Sequence, residues 1–200
     1  MTKTIDYFFG VGSPWAFIGL APFAELAAKQ NAVIKPYVIP LIEDNGGIYS
    51  RNRPEARRAY WMKDLKRWAA LRGKVLNFEN RGALSDPTPA GFMLIAAIEN
   101  GQDWLKLASA LQEAFWTGGE DIGNAAVRRA IADGEGFDGA ALDEQGASEA
   151  VQAVWKANYE TAKAAGVFGL PTYRYEGELY WGQDSLPFLE RHLKGDRLVA

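Results

Sequence analysis

The sequence predicts an α/β chain: a sheet built from strands near its two ends, with a long all-helical stretch inserted between them. Three observations predict this. A β-branched and aromatic run at 4–9 leads straight into a helix-start signal, the stretch from about 54 to about 165 carries helical spacing, and strand-like runs return only after Gly166. Strands at both ends are expected in one sheet, because an isolated hairpin is not stable in water.

Thr4–Phe9 (TIDYFF) reads as a strand from its β-branched and aromatic content. Gly10, Gly12, Ser13 and Pro14 break it. Ser13 suits a helix N-cap, and Pro14 suits the first helical position, where its missing N–H is no loss. The helix continues through Phe17, Ile18 and Leu26, with a kink expected near Gly19–Pro22. Val33–Ile39 reads as a second strand, and Pro36 makes it an edge strand or irregular. Pro54–Leu71 puts Trp61, Leu65 and Trp68 on one stripe. Phe92–Ile98 is apolar enough for a buried helix, and Trp104, Leu107, Leu111 and Phe115 follow at helical spacing. Asn124 is placed to cap a short helix stopped by Gly134, and Val151, Val154, Trp155 and Tyr159 mark another, ended by Gly166. Thr172–Tyr175 and Glu178–Trp181 flank Glu176-Gly177 as a hairpin. Asp184 or Ser185 caps a last helix with Leu186, Leu189 and Leu193 on one face, ended by Gly195.

Composition narrows the chemistry. Of 200 residues, 48% are hydrophobic and 24% charged, as in an ordinary globular protein. A net charge of −3 argues against a nucleic-acid partner. Arginines cluster at Arg51/Arg53 and Arg57/Arg58, enough for a small anion but not for a phosphate backbone. The absence of cysteine removes disulfides, an own thiolate and cysteine-based zinc sites. A single histidine, His192, argues against a histidine-ligated metal and is expected on the surface near a helix C-terminus. The first apolar run is short and contains Asp6, which fits neither a signal peptide nor a membrane span, so the expected compartment is the cytoplasm.

Two motifs carry chemistry. In Gly12-Ser13-Pro14-Trp15-Ala16 a hydroxyl sits at a helix N-terminus, where unpaired N–H groups and about half a positive charge favour an anion. The same residues also read as an ordinary N-cap followed by proline. In Val167–Tyr173 (VFGLPTY), Pro171 opens a strand. A cis peptide there would free the N–H and C=O of Leu170 for an extended peptide, while a plain trans proline at a strand start is the alternative.

Together the motifs resemble a known family. Ser13-Pro14-Trp15-Ala16 stands where DsbA-like thioredoxin folds carry Cys-Pro-x-Cys, and Gly169-Leu170-Pro171-Thr172 looks like their cis-proline loop. With serine in place of cysteine, the chain resembles 2-hydroxychromene-2-carboxylate isomerases and kappa-class glutathione transferases. Arg58–Leu65 (RAYWMKDL) and Trp181–Leu186 (WGQDSL) are further matches, and the resemblance spans essentially the whole chain.

The resemblance implies a thioredoxin-like domain over 1–41 and 166–200, a helical insertion domain over 42–165, and glutathione as the source of sulfur. By the same resemblance Ser13 holds the glutathione thiolate. The Leu170 backbone, beside Pro171, pairs with the cysteinyl segment. Gln183 and Asp184 hold the γ-glutamyl end, and Asn52 and Arg57 meet the glycyl carboxylate. Trp15 reads from its place next to Ser13, not from the resemblance, either as a core side chain or as one that touches an aromatic substrate. Some relatives carry an acidic residue at the end of the first strand, where this chain has Phe9-Gly10-Val11. The resemblance implies an isomerase acting by reversible thiolate addition to an unsaturated aromatic-derived acid, as in the step from 2-hydroxychromene-2-carboxylate to trans-o-hydroxybenzylidenepyruvate. A conjugating transferase and a non-catalytic glutathione-binding module are the alternatives. Partners expected are a small aromatic or electrophilic substrate and a second copy in a homodimer.

Overall fold

The computed structural model describes residues 2–79 and 81–196. Strand β1 (Lys3–Phe9) leads into helix α1 (Pro14–Lys29) and returns as β2 (Ala32–Val38), a parallel crossover. Strands β3 (Thr172–Tyr175) and β4 (Glu178–Trp181) complete a four-stranded sheet in the order β2-β1-β3-β4, with β1 and β4 both antiparallel to β3. Pro36 lies in β2, at the sheet's edge, where a missing donor is tolerated. Glu176 and Gly177 have φ of 49° and 89°, the paired positive values that let a two-residue turn follow the twist of its strands.

Between β2 and β3 run α2 (Glu55–Leu71), α3 (Thr88–Glu99), α4 (Trp104–Glu113), α5 (Ala125–Gly134), α6 (Gly139–Gly146) and α7 (Glu149–Ala164); α8 (Leu186–Leu193) follows the hairpin. The architecture is an α/β thioredoxin-like fold with an all-helical insertion. Asp103, Asn124, Asp138 and Ser148 each accept a backbone N–H as side-chain caps of α4 to α7. Helix α1 runs through Gly19 and Pro22 as one element.

Alternation along β1 sorts its side chains between two cores. Ile5, Tyr7 and Phe9 face the main one, where Tyr7 stacks 4.4 Å from Phe9 and 5.4 Å from Tyr173, with Phe23 of α1 4.5 Å from Tyr173. Phe8 faces a smaller cluster with Tyr37, Ile39, Ile42, Ala162 and Val167. The main core continues into α3 and α4 through Met93, Leu94, Leu107 and Leu111, so sheet and insertion share it.

One helix has no counterpart in the sequence reading, and one sequence reading needs correction. Gly139 and Gly146 hid α6, because glycine usually interrupts helices. Here it permits close approach: a Cβ at Gly139 would lie 2.3 Å from the Arg129 carbonyl oxygen, and one at Gly146 3.0 Å from the Met93 nitrogen. Asp143 of α6 also pairs with buried Arg128 and with Arg129 of α5. His192, in the last turn of α8, is partly buried and not a freely exposed surface residue. Its side chain is 14% exposed and faces Glu176, and its Nδ1 lies 2.7 Å from the Tyr180 hydroxyl.

Among the described residues no helix is long and apolar enough to cross a membrane, and no group of three or more side chains is arranged to hold a metal ion.

Candidate functional site

Both motifs meet at one place. β1 ends at Phe9, and the tight Gly10–Ser13 turn, closed by the Ser13 N–H donating to the Gly10 carbonyl at 3.0 Å, brings Ser13 to the start of α1. Ser13 has extended backbone angles (φ −81°, ψ 120°), and its Oγ accepts the Ala16 N–H at 3.3 Å, as an N-cap does. Pro14 has no N–H and Ala16 is committed to Ser13. The Trp15 N–H is therefore a first-turn donor without an acceptor among the described residues.

The Leu170-Pro171 peptide is cis. The Leu170 carbonyl accepts from the Ser13 hydroxyl at 3.4 Å, and no described residue accepts the Leu170 N–H. A bond that long is weak, so the Ser13 proton is available to a better acceptor. Three close approaches fix this geometry. A Cβ at Gly10 would sit 3.0 Å from the Ile39 carbonyl oxygen, one at Gly12 2.8 Å from Pro87, and one at Gly169 2.2 Å from the Trp181 indole nitrogen.

Ser13, Trp15 and Leu170 open on a cavity of about 1400 Å³ that reaches into the helical insertion. Its lining brings together the aromatic Tyr60, Trp61, Phe115, Trp116, Phe168 and Trp181, the basic Arg51, Arg53, Arg57 and Arg81, and the acidic Asp64, Asp86 and Asp184. Burial lowers the pKa of Arg53, and the like charge of Arg57 lowers it further; two neighbouring cations of this kind form a place for an anion. Arg81 sits in the corner between Phe115 and Trp116, 4.1 and 3.7 Å from their ring centroids. Burial pushes its guanidinium down to about 10, which leaves it charged at neutral pH. A second hollow, of about 390 Å³, lies among Lys3, Tyr175, Glu176 and His192, and includes neither motif.

The model of the DSBA-like thioredoxin domain matches residues 4–194. The chain belongs to the DSBA-like thioredoxin family. It is 32% identical over 198 residues to a 2-hydroxychromene-2-carboxylate isomerase from Sphingobium xenophagum, covering 96% of this chain and 99% of the relative. A second protein of that name, from Pseudomonas sp. (strain C18), is 24% identical, with 96% and 90% covered. Among solved structures, a 2-hydroxychromene-2-carboxylate isomerase superposes with a TM-score of 0.79 at 22% identity, covering 96% and 95% of the two chains. The cytosolic disulfide reductase DsbM from Pseudomonas aeruginosa with GSH superposes at 0.68 and 18% identity, covering 96% and 99%. Those two structural likenesses speak for the fold. The relative at 32% makes this DSBA-like chain similar to the isomerases of the family.

Within this DSBA-like fold most of the residues read from the sequence come together. Ser13, Trp15, Arg57, Leu170 and Asp184 all line the cavity, and Pro171 is buried behind Leu170. Two do not join them. Gln183 is fully buried; its side chain packs where a Cβ on Gly19 would lie 2.6 Å from its own Cβ, and its Oε1 accepts from Arg72 Nε at 3.2 Å. It supports the underside of α1 and does not reach the cavity. Asn52 ends the 3-10 turn Ser50–Asn52, exposed and outside the lining, while Arg53, one residue on, enters it. Arg81 escaped the sequence reading, because its segment has no periodic signal. Phe115 reads in the sequence only as the last member of the α4 stripe; the π-helical turn Ala114–Gly118, which buries it together with Trp116, has no sequence mark of its own.

Proposed function

We propose that this protein is a glutathione-dependent isomerase of an unsaturated, aromatic-derived carboxylic acid, of the 2-hydroxychromene-2-carboxylate type. One observation carries the reading: a chain without cysteine presents a hydroxyl, a free helix-start N–H and a free N–H beside a cis-proline to one point of an aromatic, arginine-lined cavity. That is a holder for a sulfur brought in from outside.

Glutathione fits the donor set. It is an extended peptide, and the unpaired Leu170 N–H is the edge donor such a peptide pairs with. Arg53 and Arg57 suit its glycyl carboxylate, and the exposed Asp184 carboxylate suits its ammonium. When bound, glutathione supplies a thiolate that adds reversibly to a conjugated double bond, so that rotation becomes possible before the sulfur leaves unchanged.

The protein's own residues make that sulfur anionic. A free thiol titrates near ~8.5, so most of it is protonated at neutral pH. The Ser13 hydroxyl, redirected from its long bond to Leu170, and the Trp15 N–H both donate to negative charge at the α1 N-terminus. A hydrogen bond to a charged group contributes about 1.5–3 kcal/mol, which corresponds to about one to two pKa units of thiol acidification. Ser13 is not itself the nucleophile, because no histidine stands near to take its proton: the sole histidine packs against Tyr180 beneath the hairpin.

The test is turnover of 2-hydroxychromene-2-carboxylate with and without glutathione, total glutathione being measured before and after. The expected result is isomerisation that requires glutathione and does not consume it; consumption would make the protein a conjugating transferase, and turnover without glutathione would end the proposal. Ser13→Ala should cut kcat/KM at pH 7 by about tenfold, the fall in thiolate fraction that a rise of about one to two pKa units produces. The rate of the variant should then climb with pH through a raised thiol pKa, whereas the wild-type rate is already flat, and calorimetry should show glutathione still bound.

A further inference from the structure

The cavity holds more positive charge than glutathione's glycyl end needs, and its fourth arginine is built differently from the others. Arg81 spends both of its backbone bonds through one nitrogen: Nη1 donates to the Asn77 carbonyl at 3.4 Å and to the Phe115 carbonyl at 2.9 Å. Nε and Nη2, which form the guanidinium's side-on edge, have no acceptor among the described residues, and no described carboxylate lies within ion-pair distance. Two aromatic rings hold the group from moving, at 4.1 and 3.7 Å. A fixed, half-buried guanidinium with a free two-donor edge matches the two oxygens of a planar carboxylate.

Its place in the cavity says whose carboxylate this is. A Cβ on Gly12, the neighbour of Ser13, would lie 3.9 Å from Phe115 Cε1, and Phe115 is the ring against which Arg81 rests. One aromatic ring therefore lies between the backbone of Gly12, next to Ser13, and the guanidinium. Arg53 and Arg57 already answer the glycyl carboxylate. We propose that Arg81 anchors the carboxylate of the second substrate, with its ring against the Phe115–Trp116 corner, and so makes the enzyme selective for aromatic acids over uncharged electrophiles. This rests on the glutathione-dependent reading above.

The two are separable by experiment. Glutathione is titrated into wild-type and Arg81→Gln protein first; then chromone-2-carboxylate and its neutral carboxamide are titrated into each protein loaded with glutathione. Expected are equal glutathione affinities, a wild-type preference for the acid, and a loss of about ten- to hundred-fold for the acid alone in Arg81→Gln, the effect of removing one charge-assisted pair. Arg81→Lys should restore part of the acid preference. A merely structural role would weaken acid and amide equally, which overturns the proposal, as does a wild-type protein indifferent to the acid. Weakened glutathione binding in Arg81→Gln would assign Arg81 to glutathione and also overturn it. If wild-type protein binds no glutathione, the isomerase reading fails first.

Discussion

At the sheet end of the cavity the groups on offer belong mainly to the backbone. The Trp15 N–H, the Leu170 N–H and a serine on a helix cap are set by where β1 ends and β3 begins. At the insertion end they are long side chains, Arg51, Arg53, Arg57 and Arg81, mounted on 3-10 turns and on α2 among aromatic rings. Backbone donors cannot be replaced by ordinary substitution and cost no side-chain entropy to order, so they suit a step that must be positioned within fractions of an ångström. Arginines on a separate helical layer can be exchanged one at a time, which suits the choice of ligand. On the function proposed, the chemistry lies at one end and the selectivity at the other.

On glutathione affinity the largest effect expected comes from breaking the insertion end. Arg53→Ala and Arg57→Ala should each raise the glutathione Kd about tenfold, the lower end for an ionic hydrogen bond because Arg57 is exposed and solvent screens it. The double variant should lose somewhat less than the product if both arginines meet one carboxylate. Raising salt from about 0.1 to 1 M, where the screening length shrinks from roughly 10 to 3 Å, should weaken the wild type more than the double variant. Asn52→Ala should stay within about twofold of wild type, given the ~0–1 kcal/mol range of exposed surface groups. Calorimetry reads all of these, and an Asn52 effect equal to that of Arg57 would undo the assignment of the insertion end.

This division also explains what was legible in the sequence. Strand content at 4–9, the Ser13-Pro14 cap and the Glu176-Gly177 turn are local signals, and the fold followed from them together with the helical spacing between. The sheet end of the site was legible for the same reason: Ser13 and Leu170 stand in motifs whose local geometry decides what they present. The insertion end was not. Whether Asn52 or Arg53 turns inward depends on a short 3-10 turn, and whether Arg81 meets Phe115 depends on packing across more than thirty residues of chain. Gln183 shows the limit from the other side. It stands in a motif, yet its side chain points beneath α1 because Gly19 leaves a space there.

That reassignment of Gln183 gives the next effect in size. Gln183→Ala removes the acceptor for Arg72 Nε in a partly buried hydrogen bond. Stability should fall by about 1 kcal/mol, the net worth of a typical hydrogen bond. Chemical denaturation measures that loss, while the glutathione Kd of the folded variant should move less than about threefold (under ~0.7 kcal/mol). A large change in Kd with unchanged stability would return Gln183 to the ligand and blur the line between scaffold and site.

The smallest effect concerns the loop that walls the cavity beside Ser13. Asp121 accepts from both the Ser85 N–H at 3.0 Å and the Ser85 hydroxyl at 2.8 Å, and Ser85, Asp86 and Pro87 line the cavity. The Ser85 hydroxyl above all, helped by backbone N–H groups of Ser85, Gly123 and Asn124, holds the Asp121 carboxyl below its ordinary value. A carboxylate with a depressed folded-state pKa stabilises fully above its unfolded pKa of about 3.9, and that contribution disappears as pH falls through the folded-state value. The loop should therefore be fully held at neutral pH and loosen only in acid. Ser85→Ala should raise the Asp121 pKa, read by NMR titration, and its stability deficit relative to wild type should shrink as pH drops below about 4. Because Pro87 crosses Gly12 so closely, loosening of this wall reaches the Ser13 turn, and glutathione affinity should decline over the same acid range in wild type but less steeply in Ser85→Ala. An affinity that follows the carboxylates of glutathione alone, identical in the two proteins, would show that the wall is passive and that the sheet end positions sulfur without it.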